Sequence, residues 1–355
     1  MNQNYIDGRW ADARSERRYP VADLQNADRV LGEFPVSDER DAVAAIASGR
    51  RGFEEWKRTA YRDRVDMVAS LTRSLEASAD TLRATLVQAT GKTRAEAQAE
   101  FESTLWFLRE LPGVGSDFEG AMPPFPKLAV RFRGPLGLCV LQPGSLYPLF
   151  DLACFAAASF MWGNTSVVLP GPSAAAVADA LADMVDKGPH VPGTFHLLDG
   201  ATPKLTQLLR DHPDVAQFVS GQDGSFEVGK DFKPSEAAQS GALVVDDADL
   251  TRATGAVVRG ASLANGQHPM SLHRIVVHRR VVSEFQSRLS EAVRALRVGD
   301  PSDPTVEIGP LLTPGRAKEM QKRVQKAVKE GAQILCGGSS PGGELKRGSF
   351  FEPTV

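Results

Sequence analysis

LANGQHPMSLHRIVVH, residues 263–278, contains a loop and the strand it feeds. Gly266, Gln267 and His268 lead into Pro269, and a few residues on Arg274, Ile275, Val276 and Val277 form the β-branched run expected of a strand. Pro269 carries neither a reactive side chain nor a backbone N–H, so it can supply neither a nucleophile nor a hydrogen-bond donor. His268 is a loop histidine. His273 and His278 alternate with strand residues and read as structural, and no His, Cys and carboxylate cluster has metal-ligand spacing.

Outward from this loop, the apolar spacing predicts a helix before it (residues 250–261) and helices after it (281–296 and 314–330), with a further strand at 333–336. Further upstream, strands at 166–169, 195–198, 215–219 and 242–245 alternate with helical stretches at 173–187, 203–211 and roughly 226–232. That order argues for a parallel sheet covered by helices. Residues 128–132 and 138–141 flank Gly134-Pro135 and read as a β-ribbon bridging to another unit or chain. Before it lie strands around Asp7-Gly8, near Val21 and at 30–34. Asp38 caps a helix through Trp56, a second helix runs from about Arg62 to Gly91, and a third spans 93–111 and ends at Pro112-Gly113.

The composition bounds the class. The chain has 355 residues, 42% of them hydrophobic, enough for two domains with a sizeable core. Its 41 Lys and Arg against 44 Asp and Glu give a net charge of −3, which draws it toward neither nucleic acid nor an anionic membrane. No basic region followed by an apolar one opens the sequence, so cytoplasm is the expected location. The longest apolar run, 149–162, is interrupted by Asp151 and is too short to span a bilayer. Cys139, Cys154 and Cys336 are far apart and read as reduced core thiols.

Nine segments occur in an order that resembles the aldehyde dehydrogenase superfamily: NYIDGRW from Asn4, ATGKTRAEA from Ala89, RGPLGLCVLQPG from Arg133, GNTSVVL from Gly163, PGTFHLLDG from Pro192, GSFEVGK from Gly224, DDADL from Asp246, LRVGDPSDPTVEIGPLL from Leu296 and FFEPTV from Phe350. The resemblance implies an α/β fold with a Rossmann-like cofactor domain (1–126 and 143–247), a bridging, oligomerising β-ribbon (127–142) and a second α/β catalytic-type domain (248–355) that is short relative to the family. It also implies a mechanism in which a thiolate attacks an aldehyde, an Asn amide holds the oxyanion, hydride passes to nicotinamide and a Glu activates water.

Set against those roles, the motifs are degenerate. Where the resemblance implies the nucleophilic Cys the chain has Pro269. The family's Pro-Trp-Asn-Phe-Pro is matched by Pro143 to Pro148, with Ser145 in place of the oxyanion Asn, a loss that typically costs about 3 kcal/mol in the transition state. Ser235 falls where the general-base Glu is expected, with Glu236 next to it. Lys-Pro-Ser-Glu, which grips the cofactor ribose, becomes Gly171-Pro172-Ser173-Ala174, while the pyrophosphate turn survives as Gly224, Ser225 and Gly229. The resemblance therefore implies a protein that cannot oxidise aldehydes by the thiol route and acts by binding or assembly. No cofactor is assigned, NAD or NADP remaining open, and no metal is expected. Self-association or another protein chain, and a small molecule in the inter-domain cleft, are the expected partners. One alternative is a non-redox enzyme using His268, Glu236 and Tyr147 as acid and base. A second is an NAD(P)-dependent aldehyde oxidoreductase that recruits Cys154.

Overall fold

The structure, a computed structural model, describes residues 2–115, 134–222, 225–228, 240–313 and 315–355. Its centre is a seven-stranded sheet in the order β2-β1-β7-β6-β5-β8-β9. The strands are β1 (Asn4–Ile6), β2 (Arg9–Ala11), β5 (Leu138–Gln142), β6 (Thr165–Val168), β7 (Phe195–Leu197), β8 (Val215–Gln222) and β9 (Ser225–Val228). The middle four run parallel, whereas β1, β2 and β9 add antiparallel edges. A separate ribbon pairs β3 (Arg18–Ala22) with β4 (Val30–Pro35).

Helices cover both faces because the strands are apolar on both. Leu138, Val140, Val167, Leu198 and Phe218 pack against α1 (Glu39–Trp56) and α7 (Pro203–Asp211). Leu141, Val168, Phe195 and Leu197 join the larger core built by α2 (Tyr61–Ala77), α3 (Ala79–Thr90), α4 (Arg94–Gly115), α5 (Pro148–Met161) and α6 (Ala175–Asp186). The start of α1 is fixed by a reciprocal cap: the Asp38 carboxylate accepts from Arg40 N (2.9 Å), and Asp41 accepts from Asp38 N (2.9 Å). Two glycines let α1 lie close to its neighbours. A Cβ on Gly49 would stand 2.6 Å from Leu138, and one on Gly52 2.6 Å from the Gly193 backbone.

The second unit is smaller. β10 (Ser240–Val244) and β11 (Leu272–Val277) pair in parallel, joined by α8 (Leu250–Ser262), and Val244, Val257, Phe285 and Leu289 form its core with α9 (Val282–Arg294). α10 (Arg316–Lys329) buries Ala317 against Leu311 and Phe351.

Several sequence expectations are corrected here. Residues 138–141 belong to β5, in the middle of the main sheet between β6 and β8, not to a bridging ribbon. All but one of its residues are buried, which suits a central parallel strand. The ribbon's other half, 128–132, lies outside the described residues. β10 pairs with β11 rather than with the main sheet. The stretch expected to open a helix near Phe226 is instead β9, an antiparallel edge on β8, with Gln222 facing Ser225. The 62–91 helix breaks at Ser78, whose backbone leaves the helical range at φ −104° and ψ 14°, into α2 and α3. α4 continues past Pro112, whose fixed φ suits a helix although its ring removes one bond. Residues 333–336 form no strand.

Candidate functional site

The loop before β11 is built on strain. Ala264, Asn265 and Gly266 follow one another at φ 49°, 56° and 74°, all left-handed. Each non-glycine there costs roughly 1–2 kcal/mol, so the surroundings must hold them. Glu96 of α4 accepts from Ala264 N (2.9 Å), and Asn265 clasps the following segment through Pro310 O (3.0 Å) and Gly309 N (3.2 Å). Gln267 accepts from Leu312 N (3.1 Å). The chain then turns over Pro269: Ser271 N donates to His268 O (2.9 Å), which puts Pro269 at the second position of a four-residue turn, where its φ is already set.

Opposite this loop lies the junction of α4 and α5. Tyr147 precedes α5 without capping it by its side chain, and a carboxylate from another helix does that work. Glu100 accepts from Leu149 N (2.8 Å) and Phe150 N (3.2 Å) and is ion-paired with Lys92, whose ammonium also reaches Leu146 O (2.7 Å). Lys92 lies 5.0 Å from the centre of the Tyr147 ring, and the other neighbour of that ring is His268, edge-on at 5.6 Å. A cavity of about 90 Å³ sits between the two sides, lined by Lys92, Glu96, Leu146, Tyr147, Ala264 and Gln267 among others.

The chemistry available here follows from what is already bonded. Lys92, Glu96, Asn265 and Gln267 all hold protein partners. The His268 ring is pushed toward its neutral form by burial, and its Nδ1 accepts from Met270 N (3.0 Å). That bond leaves the proton on Nε2, so the imidazole can donate but has no free lone pair for a general base. Burial, then Glu96 and Glu100, raise the Tyr147 phenol. Of the acid/base candidates the structure therefore brings His268 and Tyr147 together, while Glu236 and Ser235 lie outside the described residues. Ser145 is exposed and does not line the cavity; Leu146 does. Leu146 stands two residues before Pro148, the first residue of α5.

None of the thiols fits a nucleophile. Cys139, Cys154 and Cys336 are all buried. Burial pushes Cys139 up to about 12. It raises Cys154 as well, and Asp151 and Glu100 add to that rise. A raised thiol has almost no thiolate at neutral pH. Among the described residues no group of His, Cys, Asp and Glu could hold a metal ion.

The cofactor position can be tested in the same way. β5 is flanked by β6 on one side and β8 on the other, so the sheet's switch point lies between the ends of β5 and β8. There the chain closes on itself: the Gly144 and Gly221 backbones touch, leaving no room for a Cβ on either. Asp151 of α5 fills the space behind and accepts from Gly144 N (2.9 Å). Burial raises its carboxyl to about 7, with Glu100 adding to the rise and the Gly144 bond opposing it. Ser225 is in strand β9, not at a helix start, and Gly224 and Gly229 lie outside the described residues. An edge strand and a carboxyl do not suit a pyrophosphate, which favours helix N-termini and cations. The turn that the resemblance gives to the pyrophosphate lies mostly outside the described residues, and its described part is strand β9.

Sequence reasoning overlooked Lys92, Glu96, Glu100 and Asp151. Signals existed: Thr93 and Glu96 have capping-box spacing, and Glu96 does accept from Thr93 N (2.9 Å). Asp151 is a charge inside an apolar run.

The family model described as "Aldehyde dehydrogenase family" matches residues 10–355. "Succinate-semialdehyde dehydrogenase [NADP(+)] 1" of Mycobacterium tuberculosis is 28% identical over 354 residues, covering 95% of this chain and 76% of that protein. The chloroplastic betaine aldehyde dehydrogenase of Beta vulgaris is 25% identical over 375 residues, covering 99% and 74%. Among solved structures, a succinate-semialdehyde dehydrogenase from Burkholderia pseudomallei superposes with a TM-score of 0.87 at 24% identity, over 100% of this chain and 75% of that one. An apo betaine aldehyde dehydrogenase mutant from Staphylococcus aureus gives 0.87 at 21%, over 100% and 74%.

Proposed function

The chain belongs to the aldehyde dehydrogenase family, and from that premise we propose that it does not oxidise aldehydes through a thiol and acts instead by binding or by assembly with itself or another chain, in the cytoplasm. The observation that carries this reading is the turn at His268 to Ser271. Pro269 serves its geometry, at the position the resemblance gives to the nucleophile, and the three thiols are buried elsewhere. The cavity beside the turn admits only a small fragment, and its polar walls are largely committed to the protein. This supports a ligand held mainly by shape, beside Tyr147.

The comparisons favour the other reading, an NAD(P)-dependent aldehyde oxidoreductase, because the relatives are named as aldehyde dehydrogenases. For that activity Cys154 would have to be recruited as the nucleophile. One experiment separates the two: the protein is given NAD or NADP with a panel of aldehydes, including succinic semialdehyde and betaine aldehyde, and the absorbance of reduced cofactor is followed. No turnover above a protein-free control is expected. Turnover that Cys154→Ala abolishes would establish the oxidoreductase and remove the proposal.

A further inference from the structure

His196 stands in the middle of β7 and takes no part in the cavity described above. It is 0% exposed, and α1 lies so close over it that a Cβ on Gly49 would stand 3.5 Å from its Nε2. Its Nδ1 accepts from the backbone N–H of Asp7 (3.3 Å), whereas Nε2 is buried without a hydrogen-bond partner. A backbone N–H can only donate, so Nδ1 must present a lone pair, and the proton of the neutral ring is assigned to Nε2.

What His196 holds is the turn of the N-terminal hairpin. Asp7 and Gly8, at φ 58° and 71°, make the tight turn from β1 to β2, where Ile6 faces Arg9. The Asp7 carboxylate reaches the other way, to α1, accepting from the Ser48 hydroxyl and from Arg51 (3.2 Å). At its far end the hairpin joins the sheet where Tyr5 pairs with Leu197, and the Tyr5 hydroxyl donates to Asp186 (2.7 Å). Asp7 thus ties the turn to β7 through its N–H and to α1 through its carboxylate.

We propose that His196 is an acid-release latch: its neutral imidazole holds the β1–β2 turn on β7, and a proton added at Nδ1 frees the hairpin. That proton turns the acceptor into a second donor facing the Asp7 N–H, and it places a cation where water is excluded. The charged groups facing the ring are Asp7 from the turn and Arg51 from α1; the Gly193 carbonyl, before β7, faces it as well. Burial, the largest cause, lowers the ring to about 4, with Asp7 and then Gly193 opposing it and Arg51 adding to it. The folded value therefore lies below the unfolded one, about 6.5. The contribution of the latch is fully present above that pH. As pH falls from about 6.5 toward 4, the unfolded chain binds a proton that the folded chain refuses, and stability is lost.

The test compares wild type with His196→Asn, whose side-chain oxygen can accept from Asp7 N without titrating. Melting temperature is measured from pH 7 to 4.5, with hydrogen exchange of residues 4–11 corrected for intrinsic rates. Below pH 6.5 wild type is expected to lose about 2 °C per pH unit relative to the variant. Hairpin protection is expected to fall at least several-fold between pH 7 and 5 in wild type only. Parallel pH profiles would overturn the latch. If His196→Asn does not fold, the ¹⁵N shifts of the His196 ring in wild type decide instead. At pH 5.5 the ring is expected to be neutral with hydrogen on Nε2 alone, and a charged ring, or a neutral one protonated on Nδ1, would overturn the latch.

Discussion

Lys92, on the wall of the cavity, has a structural part. Its ammonium is buried against Glu100, which in turn supplies the missing cap of α5. Removing one member of a buried pair leaves an uncompensated charge, so Lys92→Met is expected to cost about 3–5 kcal/mol. The urea midpoint reads this loss, and adding Glu100→Leu should return much of it, less the α5 cap. A loss under about 1 kcal/mol in the single variant would mean the pair is solvent-screened. Pro269 belongs to the same scale: its side chain contributes shape to a turn and nothing to bond-making.

At the scale of elements, α1 sits on the sheet only because two of its residues lack a Cβ. Gly52→Ala would push a methyl into the Gly193 backbone, which cannot rotate away as a side chain could. The expected cost is about 1–3 kcal/mol, seen as a lower thermal midpoint, although alanine is the better helix former. An unchanged midpoint would show that the loop at Gly193 yields. Helices with a polar face and a cap, such as α1 and α8, were legible in the sequence. Elements whose identity depends on a neighbour were not: β9 exists because β8 offers an open edge, and β5 reads as a ribbon until its two flanking strands are present.

Across the whole molecule, the switch point of the sheet and the loop before β11 are tied to each other through α4 and α5. Glu96 holds the loop, Glu100 holds the start of α5, and Asp151 of α5 holds Gly144. The described part of the turn that the resemblance gives to a pyrophosphate is an edge strand and not a helix start, and neither NAD nor NADP is expected to raise the melting temperature. A dinucleotide present at a hundred times its dissociation constant would stabilise by about 2.7 kcal/mol. A saturable upward shift with either cofactor would show that the edge opens to admit it.

The order of motifs along the chain determined the family and the α/β class, because hydrophobic period, glycine turns and caps are local properties that a sequence records directly. It also located the loop at 263–271, with Pro269 in its turn. The sequence did not record that Glu96 would hold Ala264 or that Leu146 rather than Ser145 would face the cavity. Those outcomes depend on residues far apart in sequence being brought within hydrogen-bonding distance, with water excluded between them, and only the packed tertiary structure sets both conditions.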